Sequence, residues 1–298
     1  MLAEFEEKQY ETQMNIELLC KHDTSNIFAP GQCLENHLGF DVALYSCNKR
    51  FWRYFYKDLW KRYYYFYYQV FKKFPYVRPK DVRYLEELLE DYLKVIPKIK
   101  FNLFIQYKRP EYLTTKRSTE WRHWNRPYYR YHITEHQQQL LEKLAQNINR
   151  NSALVIYASP AFHTQKEFWK NVQRKTIVDN SNYCEVTNLS GHTKYTYIKG
   201  GRYGKAFSEP EEIESLNLEK SIGNLRGQSR YENNISTIIN LATQTENSIK
   251  ESSYGEYYTT ILESNEFFRE FREYRILFSF VKLSLFEQIT GVRILYGF

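Results

Sequence analysis

With 298 residues, a net charge of +7, 42% hydrophobic and 18% aromatic residues, the chain can bury one large domain or a domain with an appendage, which excludes a disordered polypeptide. Its 28 Tyr and 20 Phe stand in for much of the usual Leu and Ile, so an aromatic core is expected. Cys20, Cys33, Cys47 and Cys184 show no C-x-x-C spacing and no His partner pattern, which argues against a disulfide framework or a structural zinc site and fits a reducing, cytoplasmic setting.

The acidic start "MLAEFEEKQYETQ" lacks the apolar run of a signal peptide and leads into a helix. "APGQCLENHLGF" reads as a short helix: Pro30 suits its first turn, Leu34 and Leu38 share a face, and Gly39 ends it. "FDVALYS" follows, with Phe40, Val42 and Leu44 alternating against Asp41, Ala43 and Tyr45. This is a strand whose polar side begins with an acid, and Glu35 stands six residues upstream on the helix. From Phe51 to Tyr76 run 15 aromatic residues and six Lys or Arg, which satisfy helix and strand templates alike. They read first as core packing or a subunit interface, and second as a platform for stacking unpaired bases. "DVRYLEELLEDYLKVI" is an amphipathic helix with Leu85, Leu88, Leu89 and Leu93 on a stripe, ended by Pro97.

"KFNLFIQYKRPEY" is the next strand. Side chains alternate along it, so Asn102, Phe104, Gln106 and Lys108 share one side and Leu103, Ile105 and Tyr107 the other. Lysines also protect solvent-facing sheet edges, which is the plainer reading of the polar pair. A Trp- and Arg-rich loop, "TEWRHWNRPYYRYHI", leads to the helix "TEHQQQLLEKLAQNI", with Thr134 as its cap. "SALVIYASPAF" is then a buried strand, apolar on both faces and stopped at Pro160; no glycine elbow surrounds its serine. Residues 165 to 180 read as helical, and residues 181 to 207 as strand, turn, strand, loop. "KGGRYGKAF" is a glycine-rich turn without the spacing of a phosphate loop, so an ATP-driven step requires a separate ATPase or sensor protein. Residues 206–298 read as mostly helical, a region to dock a regulator or to close a homo-oligomer. Their run "ILFSFV" falls far short of the roughly 20 residues of a membrane span.

From Lys49 to Arg130 there are 21 Lys and Arg against 8 Asp and Glu, a local excess suited to a polyanion. Arg109, Arg117, Arg122, Arg126 and Arg130 follow the Gln106 strand, either as phosphate contacts or as ordinary solvated arginines. Hard Mg²⁺ prefers oxygen ligands. Asp41 is the natural first ligand and the Gln106 carbonyl the second, with Glu35 acting directly or through a water. Lys108 then stands where an ammonium holds an attacking water or offsets charge growing on a phosphate. Read locally, Asp41 is instead a turn residue and Glu35 a solvated helix residue.

Glu35, Asp41 and the "QYK" of Gln106 to Lys108 resemble the active site of the PD-(D/E)xK, or restriction-endonuclease-like, nucleases, in the Mrr-like variant where Gln replaces an acid. The resemblance covers roughly residues 25 to 165. It implies an α/β fold with a restriction-endonuclease-like core, a mixed central sheet flanked by helices. The nuclease domain would span 1–205, with an aromatic, basic insertion at about 50–97. It further implies cleavage of DNA dependent on Mg²⁺ or Mn²⁺, in restriction or antiviral defence, with Asp41, Gln106 and Glu35 at the metal and Lys108 as the catalytic lysine. The familiar "PD" is "FD" here, and the long gap from Asp41 to Gln106 must hold a second strand and the insertion. A non-catalytic nucleic-acid-binding or assembly subunit is the alternative, favoured by the neutral Gln106.

Overall fold

The computed structural model describes residues 1–21, 79–228, 233–264 and 271–298. Glu35, Asp41, the short helix and strand expected around them, and the aromatic run from Phe51 to Tyr76 all lie outside the described residues. In chain order the elements are α1 (Glu7–Lys21), α2 (Pro79–Val95), β1 (Phe101–Tyr107), β2 (Glu111–Leu113), α3 (Trp121–Trp124), β3 (Tyr128–His132), α4 (Glu135–Asn147) and β4 (Ala153–Pro160). They continue with α5 (Gln165–Arg174), β5 (Ser181–Glu185), β6 (Lys194–Tyr197), β7 (Tyr203–Phe207), β8 (Glu211–Glu214) and α6 (Leu218–Gln228). The last are α7 (Asn234–Lys250), α8 (Gly255–Ser264), α9 (Arg275–Thr290) and β9 (Arg293–Gly297).

The protein is mixed α/β, and the chain divides into two compact units. The first comprises Met1–Ala29, Lys98–Tyr231 and Thr290–Phe298. One of its sheets has the order β5-β4-β1-β9. β4 runs parallel to β1, with α4 between them in sequence, while β9 and β5 are antiparallel to β1 and β4. All seven residues of β1 are buried, as a strand covered on both faces requires. Leu103, Ile105 and Tyr107 join Tyr10, Met14 and Leu18 of α1 and Phe168 of α5 in one apolar cluster. Thr164 and Glu167 close a reciprocal capping box at the start of α5, whereas Thr134 occupies the cap position of α4 without a side-chain cap bond.

The second sheet is fully antiparallel, in the order β2-β3-β6-β7-β8. Alternation gives it one tyrosine face: Tyr129 stacks on Tyr197 with ring centroids 5.5 Å apart, and Tyr131 meets Tyr195 at 5.4 Å. Tyr131 also reaches Tyr157 of β4 at 5.7 Å, and the Tyr197 hydroxyl donates to Ser159 Oγ at 2.7 Å, so this face packs on the first sheet. On this face the aromatic core expected from composition is tyrosine, with the Tyr197 hydroxyl tied to Ser159 and that of Tyr131 buried without a hydrogen-bond partner among the described residues. Gly204 pairs with Tyr197 and lies under the Tyr195 ring, where a β-carbon would overlap the ring. The N-terminus adds to the β2 edge: Ala3 N–H donates to Pro110 O at 2.9 Å and Tyr112 N–H to Met1 O at 2.7 Å.

In the second unit, Pro30–Pro97 with Glu232–Ile289, Leu89 and Leu93 of α2 are buried as its apolar stripe predicts. The Glu86 carboxylate accepts the N–H groups of Ile276 and Leu277 at 2.9 and 2.7 Å, satisfying orphan donors at the start of α9. Asn234 donates to the carbonyls of Leu93 in the last turn of α2 and of Ile96 and Pro97 just past it. Among the described residues no helix is long and apolar enough to cross a membrane.

Two expectations change. The Trp- and Arg-rich segment is not a loop throughout but the one-turn α3 and the strand β3, because Tyr129 and Tyr131 alternate into the tyrosine face. The expected boundary near residue 205 falls inside β7, which pairs with both β6 and β8, and the C-terminal segment supplies β9 as well as helices.

Candidate functional site

Gln106 and Lys108 leave the C-terminal end of β1 on the side opposite the α1 cluster. Gln106 lies beside Tyr157 in the parallel register with β4, and the Tyr157 hydroxyl donates to Gln138 Oε1 of α4 at 2.9 Å. Gln138 in turn donates to Val186 O at 2.9 Å and to Glu142 at 2.7 Å, so α4 is fixed against this corner. The Lys108 ammonium donates to Gln137 Oε1, also of α4, at 2.6 Å and stands 5.4 Å from the Tyr157 ring centroid. Its backbone is equally constrained: Lys108 N–H donates to Ala158 O at 2.9 Å, and Ser159 Oγ donates to Lys108 O at 3.0 Å. Ser159, which also accepts from the Tyr197 hydroxyl, is therefore a strut between the sheets.

Burial lowers the Lys108 pKa below the ordinary lysine value, and the nearby Glu7 opposes that shift. Glu7, the first residue of α1, has its own pKa raised by burial and partly restored by Lys108, and its Oε2 accepts the Arg109 N–H at 3.2 Å. Gln106 is only 4% exposed; its Nε2 donates to Tyr107 O at 3.1 Å, while its Oε1 is buried without a partner among the described residues. An amide oxygen stripped of water in this way is an open acceptor for a water or a hard cation. The corner thus holds one desolvated ammonium and one unused amide oxygen, with the half-buried Glu7 carboxylate near enough to act on the ammonium electrostatically.

Sequence reasoning found Gln106 and Lys108 from strand alternation. It missed Gln137 and Glu7, which helix packing brings to Lys108; the only local signal was their position in the first turns of helices after a strand or an acidic start. Glu35 and Asp41 lie outside the described residues. Among the described residues no three His, Cys, Asp or Glu side chains are grouped to hold a metal.

The five arginines separate into two kinds. Arg109 is consumed internally, donating twice to Ala3 O and once to Glu6 at 2.8 Å. Arg130 holds Glu111 through two donors at 2.9 and 2.7 Å and Glu120 through a third at 2.9 Å. Arg117, Arg122 and Arg126 are exposed on the segment joining β2 to β3. That segment lies over the outer face of the second sheet: Trp124 Nε1 donates to Thr196 Oγ1 at 3.0 Å, and Lys205 stands 5.2 Å from the Trp124 ring centroid. Glu120, 3% exposed, accepts from Tyr128, Arg130 and Lys194. Burial would raise its pKa, but the hydrogen bonds and the arginine outweigh burial and bring it to about 2.

Comparisons with protein-family models, with curated proteins and with solved structures give no match.

Proposed function

We propose that the protein is a metal-dependent DNA endonuclease built on a restriction-endonuclease-like core and serving restriction or antiviral defence. The observation that carries this reading is the pairing, at the end of one buried strand, of the desolvated Lys108 ammonium with the unpartnered Gln106 Oε1. β1 is followed, after β2, α3 and β3, by α4 and a parallel β4, and the resemblance likewise expects a helix and an apolar strand downstream of the "QYK" strand.

Gln106 Oε1 suits an oxygen-seeking Mg²⁺ or Mn²⁺, and in the resemblance Asp41 and Glu35 complete its protein ligands. Such an ion, when bound, supplies Lewis-acid polarisation of the phosphate and a more acidic water. The remaining work falls to the chain itself. Gln137 fixes the Lys108 Nζ in place, and burial removes competing water, so its charge acts at full strength on a phosphate oxygen or orients the attacking water. The lowered pKa also makes Lys108 readier than an ordinary lysine to exchange a proton. Exposed Arg117, Arg122 and Arg126 are the phosphate contacts of this reading.

The test is incubation of wild type, Lys108→Ala and Asp41→Ala with plasmid DNA and with structured RNA in Mg²⁺, Mn²⁺ or EDTA. Cutting of DNA that needs metal and disappears in both variants is expected; variants that cut as well as wild type refute the assignment. The second reading, a non-catalytic binding or assembly subunit, draws on the Lys108 ammonium being already satisfied by Gln137. Under it divalent metal leaves the melting temperature unchanged, whereas a metal site formed on folding raises it, and Asp41→Ala removes the rise.

A further inference from the structure

α5 presents an outward surface that the site at Lys108 does not use. Phe168 turns inward, against Phe5 at 4.9 Å and Phe162 at 6.4 Å, and anchors the helix. Its neighbour Trp169 turns outward and is 47% exposed, although an indole normally buries most of its surface. Trp169 and the edge of Phe168 form one wall of a groove of about 230 Å³, and Lys8, Gln9, Thr12 and Gln13 of α1 form the other. That volume is below the roughly 300–1,000 Å³ of most small-molecule sites, so the groove admits one planar ring and not a whole cofactor.

Lys8 is the charged residue in the groove's lining, and further cations follow along α5. Lys166, Lys170 and Arg174 recur every four residues along α5, which places them in a row on one side of the helix, about 6 Å of axial rise apart. All three are exposed, and none forms an ion pair among the described residues. Lys8 is paired with Glu11 at 2.7 Å, but its side chain is well exposed and Glu11 is shared with Arg293. The acids near this end of α5 are spent on backbone: Glu167 on the capping box and Glu4 on the N–H of Gln165 at 2.7 Å. An exposed indole beside an unpaired cationic row is complementary to one polymer chemistry, a flat base carried on a chain of phosphates. Duplex nucleic acid offers its phosphates but keeps its base faces stacked; a single strand offers both.

We propose that the α1–α5 groove binds single-stranded nucleic acid, with an unpaired base stacked on Trp169 and the backbone following Lys166, Lys170 and Arg174. This surface lies on the opposite face of the first sheet from Gln106 and the Gln137 side of α4, and the proposal does not depend on cleavage. It is tested in EDTA, where no cutting occurs, by fluorescence anisotropy of labelled oligo-dT, oligo-U and the oligo-dT annealed to its complement. Expected is tighter binding of a single strand than of the duplex, weakened roughly 5- to 100-fold by Trp169→Ala and largely kept by Trp169→Phe. The triple variant Lys166→Glu, Lys170→Glu, Arg174→Glu lowers the salt slope by at least about 2, the counterions of three lost contacts. Binding is read in EDTA and cutting in Mg²⁺ or Mn²⁺, so failure of the nuclease assignment and failure of this one are read separately. The proposal is overturned if Trp169→Ala binds within twofold of wild type, or if the duplex binds as tightly as the single strand. It is also overturned if an acidic peptide displaces the strand only when Trp169 is present, which reassigns the surface to a protein partner. Trp169, Lys166, Lys170 and Arg174 are all exposed, and matching melting curves verify that the variants fold.

Discussion

Lys108 sits where the fold gains little from its charge. Burial lowers its pKa and Glu7 only partly restores it, so between the folded pKa and the ordinary 10.5 the unfolded chain binds more protons than the folded one. Stability from this group therefore rises with pH through that window, the opposite of a lysine stabilised by an ion pair. Lys108→Met keeps an aliphatic stem beside Tyr157 and removes the desolvated charge. At pH 7 this variant is expected to melt at or above the wild-type temperature, to lose the alkaline gain in stability, and to cut no DNA. A melting temperature several degrees below wild type would show that the bond to Gln137 is a structural support and that the ammonium is explained without catalysis.

At the scale of elements, the one-turn helix α3 is too short to hold itself in water and depends on its attachments. Glu120, just before it, gathers Tyr128, Arg130 and Lys194, and Trp124 bonds Thr196, so α3 is fastened across β3 and β6. Glu120→Gln is expected to destabilise the protein by about 2 kcal/mol in urea unfolding at pH 7, since charge-assisted bonds are lost and two cations keep their burial. Because the folded pKa of Glu120 is depressed to about 2, its stabilisation is complete above the ordinary 4.5 and is lost as pH falls between those values. The variant's acid unfolding curve should be flatter over that window; a slope equal to wild type would contradict the assignment. This element also marks the limit of local pattern. β1, α4 and β4 were legible because their apolar periodicity is strong. "WRHW" spans barely one helical turn, too little for a period to repeat, and "YYRYH" hides its alternation because tyrosine reads as both apolar and polar. Charge alone likewise did not distinguish Arg130, bound to Glu111 and Glu120, from the exposed Arg126. Partners chosen across the chain carry no mark in the local sequence, which is why Gln106 and Lys108 could be read and Gln137 could not.

For the whole molecule the decisive feature is the return of the chain. It passes between the two units after residues 29, 97, 231 and 289, and its last segment re-enters the first unit as β9. β9 pairs from Phe101–Gly297 to Ile105–Arg293, so it covers the side of β1 that β4 leaves open and fixes the strand up to the residue before Gln106. The helical reading of residues 206–298 could not include this, because "RILYG" follows directly on α9 and its partner lies far upstream. A chain ending near residue 205 would cut β7 and lose β8 and β9, and a chain ending at 289 would leave the apolar edge of β1 unpaired, a template for aggregation. The second truncation is expected to run as aggregate in size-exclusion chromatography, whereas a monodisperse, fully active product would show that β9 is dispensable. A finer probe separates the strand's presence from its fit. Gly297 lies against the Phe101 ring, where a β-carbon would overlap it, so Gly297→Ala is expected to cost about 1–3 kcal/mol by overpacking while the fold persists. Phe101→Leu shortens the opposing side chain, and the double variant should then be more stable than the sum of the single losses predicts. Strict additivity in urea unfolding would mean that the two residues do not meet, and the pairing of β1 with β9 would have to be redrawn.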